Sequence, residues 1–210
     1  GGFVVGAGLK GIRPIYVVRY QGFQWYNAPI IINYACKSKE IWDIPCPIFI
    51  RSIAMEGAIG PVAGSSHHSL FQRMPGSKII SPSYDNTEEL NDIIVEDPDF
   101  TLFPISITRF DAEKARVILK EQGYKVNIIH QLWIKPFEFK DEWKLALNNS
   151  KYGGMVLDDD YEEGVASSIA HTMMLSSDKR VYTFGLEHRT AGFHPDVDNL
   201  PPSPEAISEK

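Results

Sequence analysis

The sequence predicts an α/β protein built as two consecutive units with largely parallel sheets, and three observations carry that expectation. Apolar runs of strand length alternate with stretches of helical period. The strand-length runs are near-continuous blocks of Val, Ile, Leu and Phe, the pattern of strands buried on both faces. After Asp97-Pro98-Asp99-Phe100 the alternation starts again, which places a boundary between a unit over 1–97 and a unit over 101–210.

In chain order, the Gly/Ala-rich opening GGFVVGAGLKG (1–11) reads as a helix already under way, so an upstream segment is expected. IRPIYVVRY (12–20) reads as a strand and QWYNAPIIINYACKSK (24–39) as a helix bent or begun near Pro29. CPIFIRSI (46–53) and SKIISP (77–82) read as strands, and NTEELNDIIVED (86–97) as a helix. The second half continues with TLFPISITR (101–109), KVNIIHQLW (125–133), GGMVLDDD (153–160) and RVYTFGLE (180–187) as strands. Between them lie helices at DAEKARVILKEQG (111–123), DEWKLALNN (141–149) and EEGVASSIAHTMML (162–175). Asp111 is the expected N-cap of the first of these and Gly123 its stop. The tail from Pro195, rich in proline, is expected to lie extended over a surface, and no internal repeat is visible.

The bulk numbers exclude several function classes. With 210 residues, 43% of them hydrophobic, the chain has material for a real core. A net charge of -6 and a pI near 5.5 come from scattered acids, with no Lys/Arg stripe, which argues against nucleic acid and anionic membrane as partners. Cys36 and Cys46 have no metal-ligand spacing, and a reduced, cytoplasmic setting is expected. No apolar run approaches the roughly 18 residues that span a bilayer, so the protein is expected to be soluble.

Several motifs invite chemistry. GAGLKG, Gly6 to Gly11, fits G-x-G-x-x-G, but no full strand precedes it and no acid follows until Glu40; glycines that permit close helix packing account for it better than a dinucleotide site. Asp158, Asp159, Asp160, Glu162 and Glu163 are expected in water at a helix N-terminus, complementing its dipole, and no metal site is assigned. His130 and His171 read as structural, while His188 and His194 flank a loop. His67 and His68 differ, because they sit together in a loop of small residues, GPVAGSSHHS (60–69), where imidazole can meet a substrate.

Read in order, GIRPIYVVRYQGFQWYNAPIIINYACKS (11–38), CPIFIRS (46–52), GPVAGSSHHS, MPGSKIISPS (74–83) and HPDVDNLPPSPEAI (194–207) resemble the thiamine-diphosphate enzymes of the transketolase superfamily. The set is most similar to the beta subunit of the decarboxylating component of 2-oxoacid dehydrogenase complexes.

The resemblance implies two three-layer α/β domains, a pyrimidine-binding domain over 1–97 lacking its N-terminal part and a transketolase C-terminal-like domain over 101–210. It implies thiamine diphosphate as cofactor, with pyrophosphate and Mg²⁺ held mainly by an alpha-type partner subunit, and assembly as a heterotetramer or dimer. Tyr20 and Phe23 fall where an aromatic side chain stacks on the pyrimidine; ordinary core packing is the other reading of both. The family's substrate-facing histidine maps to His67 when counted from Gly64 and to His68 when matched on the His-Ser pair; the count favours His67. Its role is to hydrogen-bond the substrate and relay protons. The implied activity is cleavage of a C–C bond next to a carbonyl, by decarboxylation of a 2-oxo acid or ketol transfer from a ketose phosphate. The chain departs from the pattern at Val17 and at Pro29-Ile30, where the family carries an acid and an Asp-Gln pair, and in a shorter loop before Met74-Pro75-Gly76. The glutamate that activates the cofactor belongs upstream of Gly1. A non-catalytic structural subunit that keeps the fold is the rival reading.

Overall fold

Residues 1–54, 60, 66–82 and 91–210 are described by the structure, a computed structural model. They group into two units, Gly1–Lys78 with Thr190–Asn199, and Ile79–Arg189 with Leu200–Lys210.

In the first unit, helix α1 (Gly2–Leu9) precedes strand β1 (Ile15–Val18), which pairs in parallel with β2 (Phe49–Ser52) in the register Ile15↔Phe49 and Val17↔Arg51. The glycines of GAGLKG act unequally. A Cβ on Gly8 would lie 2.7 Å from Cys46 Sγ and 2.8 Å from Ile48 Cγ2, whereas one on Gly6 would meet nothing within 4 Å. Close packing is therefore the role of Gly8, against the extended segment that leads into β2.

The crossover from β1 to β2 is a broken helix. A 3-10 turn (Gln21–Tyr26) leads to α2 (Ala28–Ile30), a π-turn (Ile31–Ala35) and α3 (Ser38–Trp42). Pro29, which lacks an N–H, sits in the first turn of α2, where none is needed. The π-turn is marked by the Cys36 amide, which reaches back to the Ile31 carbonyl at 2.9 Å. The helix expected over 24–39, bent or begun near Pro29, is found as several short helical turns, with the α-helical entry at the proline. Beyond β2, α4 (Ser69–Gln72) ends in the turn at Pro75-Gly76. Gly76 has φ +76, and a Cβ there would lie 2.3 Å from the Cys36 carbonyl oxygen, so only glycine lets this turn close on the crossover.

The second unit holds β3 (Ile79–Ile80), paired antiparallel with β6 (Trp133–Lys135), and a parallel sheet of β4 (Phe100–Pro104), β5 (Val126–Ile128), β7 (Gly154–Tyr161) and β8 (Val181–Leu186). The sheet order is β5-β4-β7-β8. Its helices are α5 (Thr108–Glu121), α6 (Asp141–Asn149), α7 (Val165–Ser176) and α8 (Pro204–Glu209). Strand periodicity sorts the core into two faces. Leu102, Met155 and Leu157 pack with Ala112, Ala115 and Ile207 of α5 and α8. Phe103 and Val156 pack with Leu147, Ala166, Ile169 and Met173 of α6 and α7. The result is the expected α/β layering, helices on both sides of a buried parallel sheet.

Three local expectations change. α5 starts at Thr108, ahead of Asp111, with no side chain capping its first turn; the Thr108 hydroxyl donates back to the Ile105 carbonyl at 2.6 Å, and Asp111, already inside the helix, pairs with Lys114 at 3.2 Å. Gly123, at φ +93, does end that helix. In the helix expected over 86–97, residues 86–90 lie outside the described residues. The rest is not helical: Ile93 exchanges both backbone hydrogen bonds with Ile128 at 2.8 Å, as β-branched residues beside a sheet edge favour, and a bend follows at 96–97 with Asp97 at φ 51. The tail is not wholly extended. Pro204 opens α8, and the Ser203 hydroxyl caps it by accepting from the Ala206 amide at 3.2 Å.

Candidate functional site

Tyr20 follows β1 in extended conformation (φ -133, ψ 145) and delivers the chain into the 3-10 turn that carries Phe23 and Trp25. The Tyr20 and Phe23 rings lie 6.0 Å apart at 47°, and the Arg19 guanidinium stands 5.4 Å from the Tyr20 centroid. Phe23 is 39% exposed and Tyr20 half-buried. The pair presents partly open ring faces at the carboxyl end of a parallel strand, where α/β folds gather ligands.

The same turn reaches the histidine loop. The backbone amide of Gln21 donates to the Ile53 carbonyl at 2.9 Å, just past β2, while its side-chain oxygen accepts the backbone N–H of His67 at 2.6 Å. Trp25 meets the His67 ring edge-on, with centroids 6.0 Å apart and planes at 77°. His67 is half-buried; His68, immediately before α4, is 7% exposed. Gly64 and Ser65, where the count to His67 begins, lie outside the described residues. Four of the residues singled out in the sequence thus belong to one unit, with Tyr20, Phe23 and His67 tied to a single turn. Gln21 and Trp25, which make those ties, carried no sequence signal. Their partner is far along the chain, and a Gln or Trp near a strand end is common.

The remaining candidates lie elsewhere. Asp158, Asp159 and Asp160 are buried, at 0%, 3% and 3% exposure, which corrects the expectation that they sit in water. They fall within β7, and the helix that follows starts only at Val165. Part of their hydrogen-bonding capacity is used at the strand end: Asp158 accepts from the Asp160 amide at 3.2 Å and Asp160 from the Tyr161 amide at 2.8 Å. His130 is 8% exposed, and its titration is pushed down to about 4, first by burial and then by the Arg109 guanidinium. His171, read as structural, is exposed on α7. His188 is exposed beside Glu163 at 3.4 Å, and exposed His194 accepts the Asp196 amide at 3.3 Å. Burial raises the Cys46 thiol, whose sulfur lies 3.5 Å from the Val5 carbonyl. No helix among the described residues is long and apolar enough to cross a membrane.

No family model matches the sequence, and no curated protein matches it. Solved structures do match the fold. A split-gene transketolase, solved as an inactive β4 tetramer, aligns over 99% of this chain and 77% of its own, with a TM-score of 0.75 at 14% identity. A transketolase from Campylobacter jejuni aligns over 88% of this chain at a TM-score of 0.63 and 15% identity, and this chain spans 33% of its length. The chain has the transketolase-like fold.

Proposed function

We propose that this chain is the beta-type component of a thiamine-diphosphate-dependent enzyme that cleaves a C–C bond next to a carbonyl, acting with an alpha-type partner on a 2-oxo acid or a ketose phosphate. The observation that supports the reading is that the His67 loop is tied, through Gln21 and Trp25, to the turn that carries Phe23 and follows Tyr20, in a chain with the transketolase-like fold. In this reading, residues through 97 serve the pyrimidine side of the cofactor and residues 101–210 form the C-terminal-like domain. The likeness to a split-gene chain supports a partner-dependent arrangement and self-association.

The cofactor, when bound, supplies the carbanion chemistry. The Tyr20 and Phe23 rings orient its pyrimidine, and His67 holds the substrate carboxylate or carbonyl oxygen and moves the proton there. Phosphate and Mg²⁺ contacts come mainly from the alpha-type partner.

One observation favours a second reading, a structural subunit without turnover. Pro29 stands in the first turn of α2 where the resembling family carries an acidic residue, and Val17 replaces another acid on β1.

Turnover of a panel of 2-oxo acids and ketose phosphates, with thiamine diphosphate, Mg²⁺ and the alpha-type partner added, separates the two. Product release that needs both proteins supports the enzyme. Silence across the panel, with the complex demonstrably assembled, supports the structural subunit. The chain alone is expected to bind thiamine diphosphate weakly, and micromolar binding by calorimetry without a partner contradicts this division of labour.

A further inference from the structure

We propose that Gln21 is the positioning residue for His67, with Trp25 as its second anchor; the inference rests on the reading of His67 as the substrate-facing histidine. Gln21 joins three pieces of backbone at the carboxyl end of the small sheet. It opens the turn three residues after β1 ends at Val18, its amide is bound to Ile53 past β2 at 2.9 Å, and its carboxamide oxygen takes the His67 amide at 2.6 Å. Val18 and Ser52, at the ends of the two strands, are partners in register, so the turn is fixed from both strands before it reaches the loop. A hydrogen bond to the His67 backbone sets where the residue begins, and a ring packed edge-on at 77° limits where its imidazole can swing. One holds position and the other direction, the two quantities that proton transfer at short range demands.

The arrangement also explains why a glutamine serves here. Its side chain is long enough to cross from the turn to the loop, and it accepts at one end without charge. Leucine at this position fills similar space and accepts nothing. Glutamate keeps the accepting oxygen.

The test uses the full chain with labelled histidines, assigning His67 by His67→Asn. In Gln21→Leu the His67 amide is expected to exchange about threefold to tenfold faster, the factor carried by one ordinary hydrogen bond, and its ring resonances to move. Gln21→Glu is expected to restore both. Trp25→Leu, at a side chain 54% exposed and so tolerant of truncation, is expected to move the ring resonances and leave amide exchange nearly unchanged. In the assembled complex Gln21→Leu should lower kcat about 10- to 100-fold with KM little changed, and Gln21→Glu should recover most of it. His67 signals that ignore Gln21→Leu and Trp25→Leu in folded protein overturn the proposal. So does a kcat lost equally in Gln21→Leu and Gln21→Glu. Signals that respond in a chain without turnover uphold the positioning and refute only the enzymatic reading.

Discussion

Asp92 and Trp143 are joined by a hydrogen bond of 2.9 Å from the indole N–H to one carboxylate oxygen, and the other oxygen of Asp92 takes the backbone N–H of His130 at 3.0 Å. One carboxylate thus ties the stretch before β4 both to α6 and to the exit of β5. Asp92→Ala leaves two donors without acceptors and is expected to cost about 1–3 kcal/mol. Asp92→Asn keeps one acceptor and should recover part of that. Urea unfolding followed by tryptophan fluorescence measures both, and an unchanged midpoint in Asp92→Ala contradicts the role.

His130 makes the second unit acid-sensitive. Folded, it stays neutral down to about pH 4, because it is buried and faces the Arg109 guanidinium; its unfolded value is near the ordinary 6.5. Below pH 6.5 the unfolded chain takes up a proton that the folded one refuses, so stability is complete above that pH and falls as pH drops toward 4. The loss approaches roughly 3 kcal/mol over that window. His130→Gln should flatten this part of the curve, and equal slopes for the two proteins from pH 6.5 to 4 would rule the mechanism out.

Much of the fold was legible because its signal is local. The strands around Leu102, Val126, Val156 and Val181 are continuous apolar blocks, and DEWKLALNN coincides with α6. What sequence missed depends on distant partners. Ile93 and its β-branched neighbours looked helical by spacing, but Ile93 pairs with Ile128 instead. Asp158 to Asp160 looked solvated because they were placed at a helix N-terminus; the continuation of β7 to Tyr161 puts them in a buried strand instead. In the site, residue types with chemistry stood out and residues that hold them did not, as Gln21 illustrates.

Gly76 offers a test of how the histidine loop is closed. At φ +76 with the Cys36 carbonyl oxygen 2.3 Å from a built Cβ, alanine meets both a backbone penalty and a collision with main chain. Gly76→Ala is expected to destabilise by more than about 1–2 kcal/mol, the backbone penalty alone. Gly6→Ala, with open space around it in the interior of α1, serves as the control and should stabilise by up to about 1 kcal/mol. Thermal unfolding of the two variants side by side decides, and equal midpoints would remove the close approach from the account.

His67 and His68 are adjacent in sequence and differ in situation, which makes the pair a sharp test of the proposed function. His67 is half-buried, its ring edge-on to Trp25 and its amide bonded to Gln21, whereas His68 is 7% exposed and precedes α4. A group that moves protons at a substrate must reach it, so the half-buried ring has the stronger claim. In the assembled complex His67→Ala is expected to lower kcat by about 100-fold or more, the scale of a lost proton-transfer group. His68→Ala is expected to act chiefly on stability, lowering Tm with a smaller change in kcat. His67→Gln, which still donates a hydrogen bond but cannot relay a proton near neutral pH, separates the two parts of the role: KM should stay near that of the parent while kcat falls. Equal and negligible effects of both alanine variants on turnover would remove the loop from the active site, and a larger kcat loss in His68→Ala would transfer the role to the buried ring.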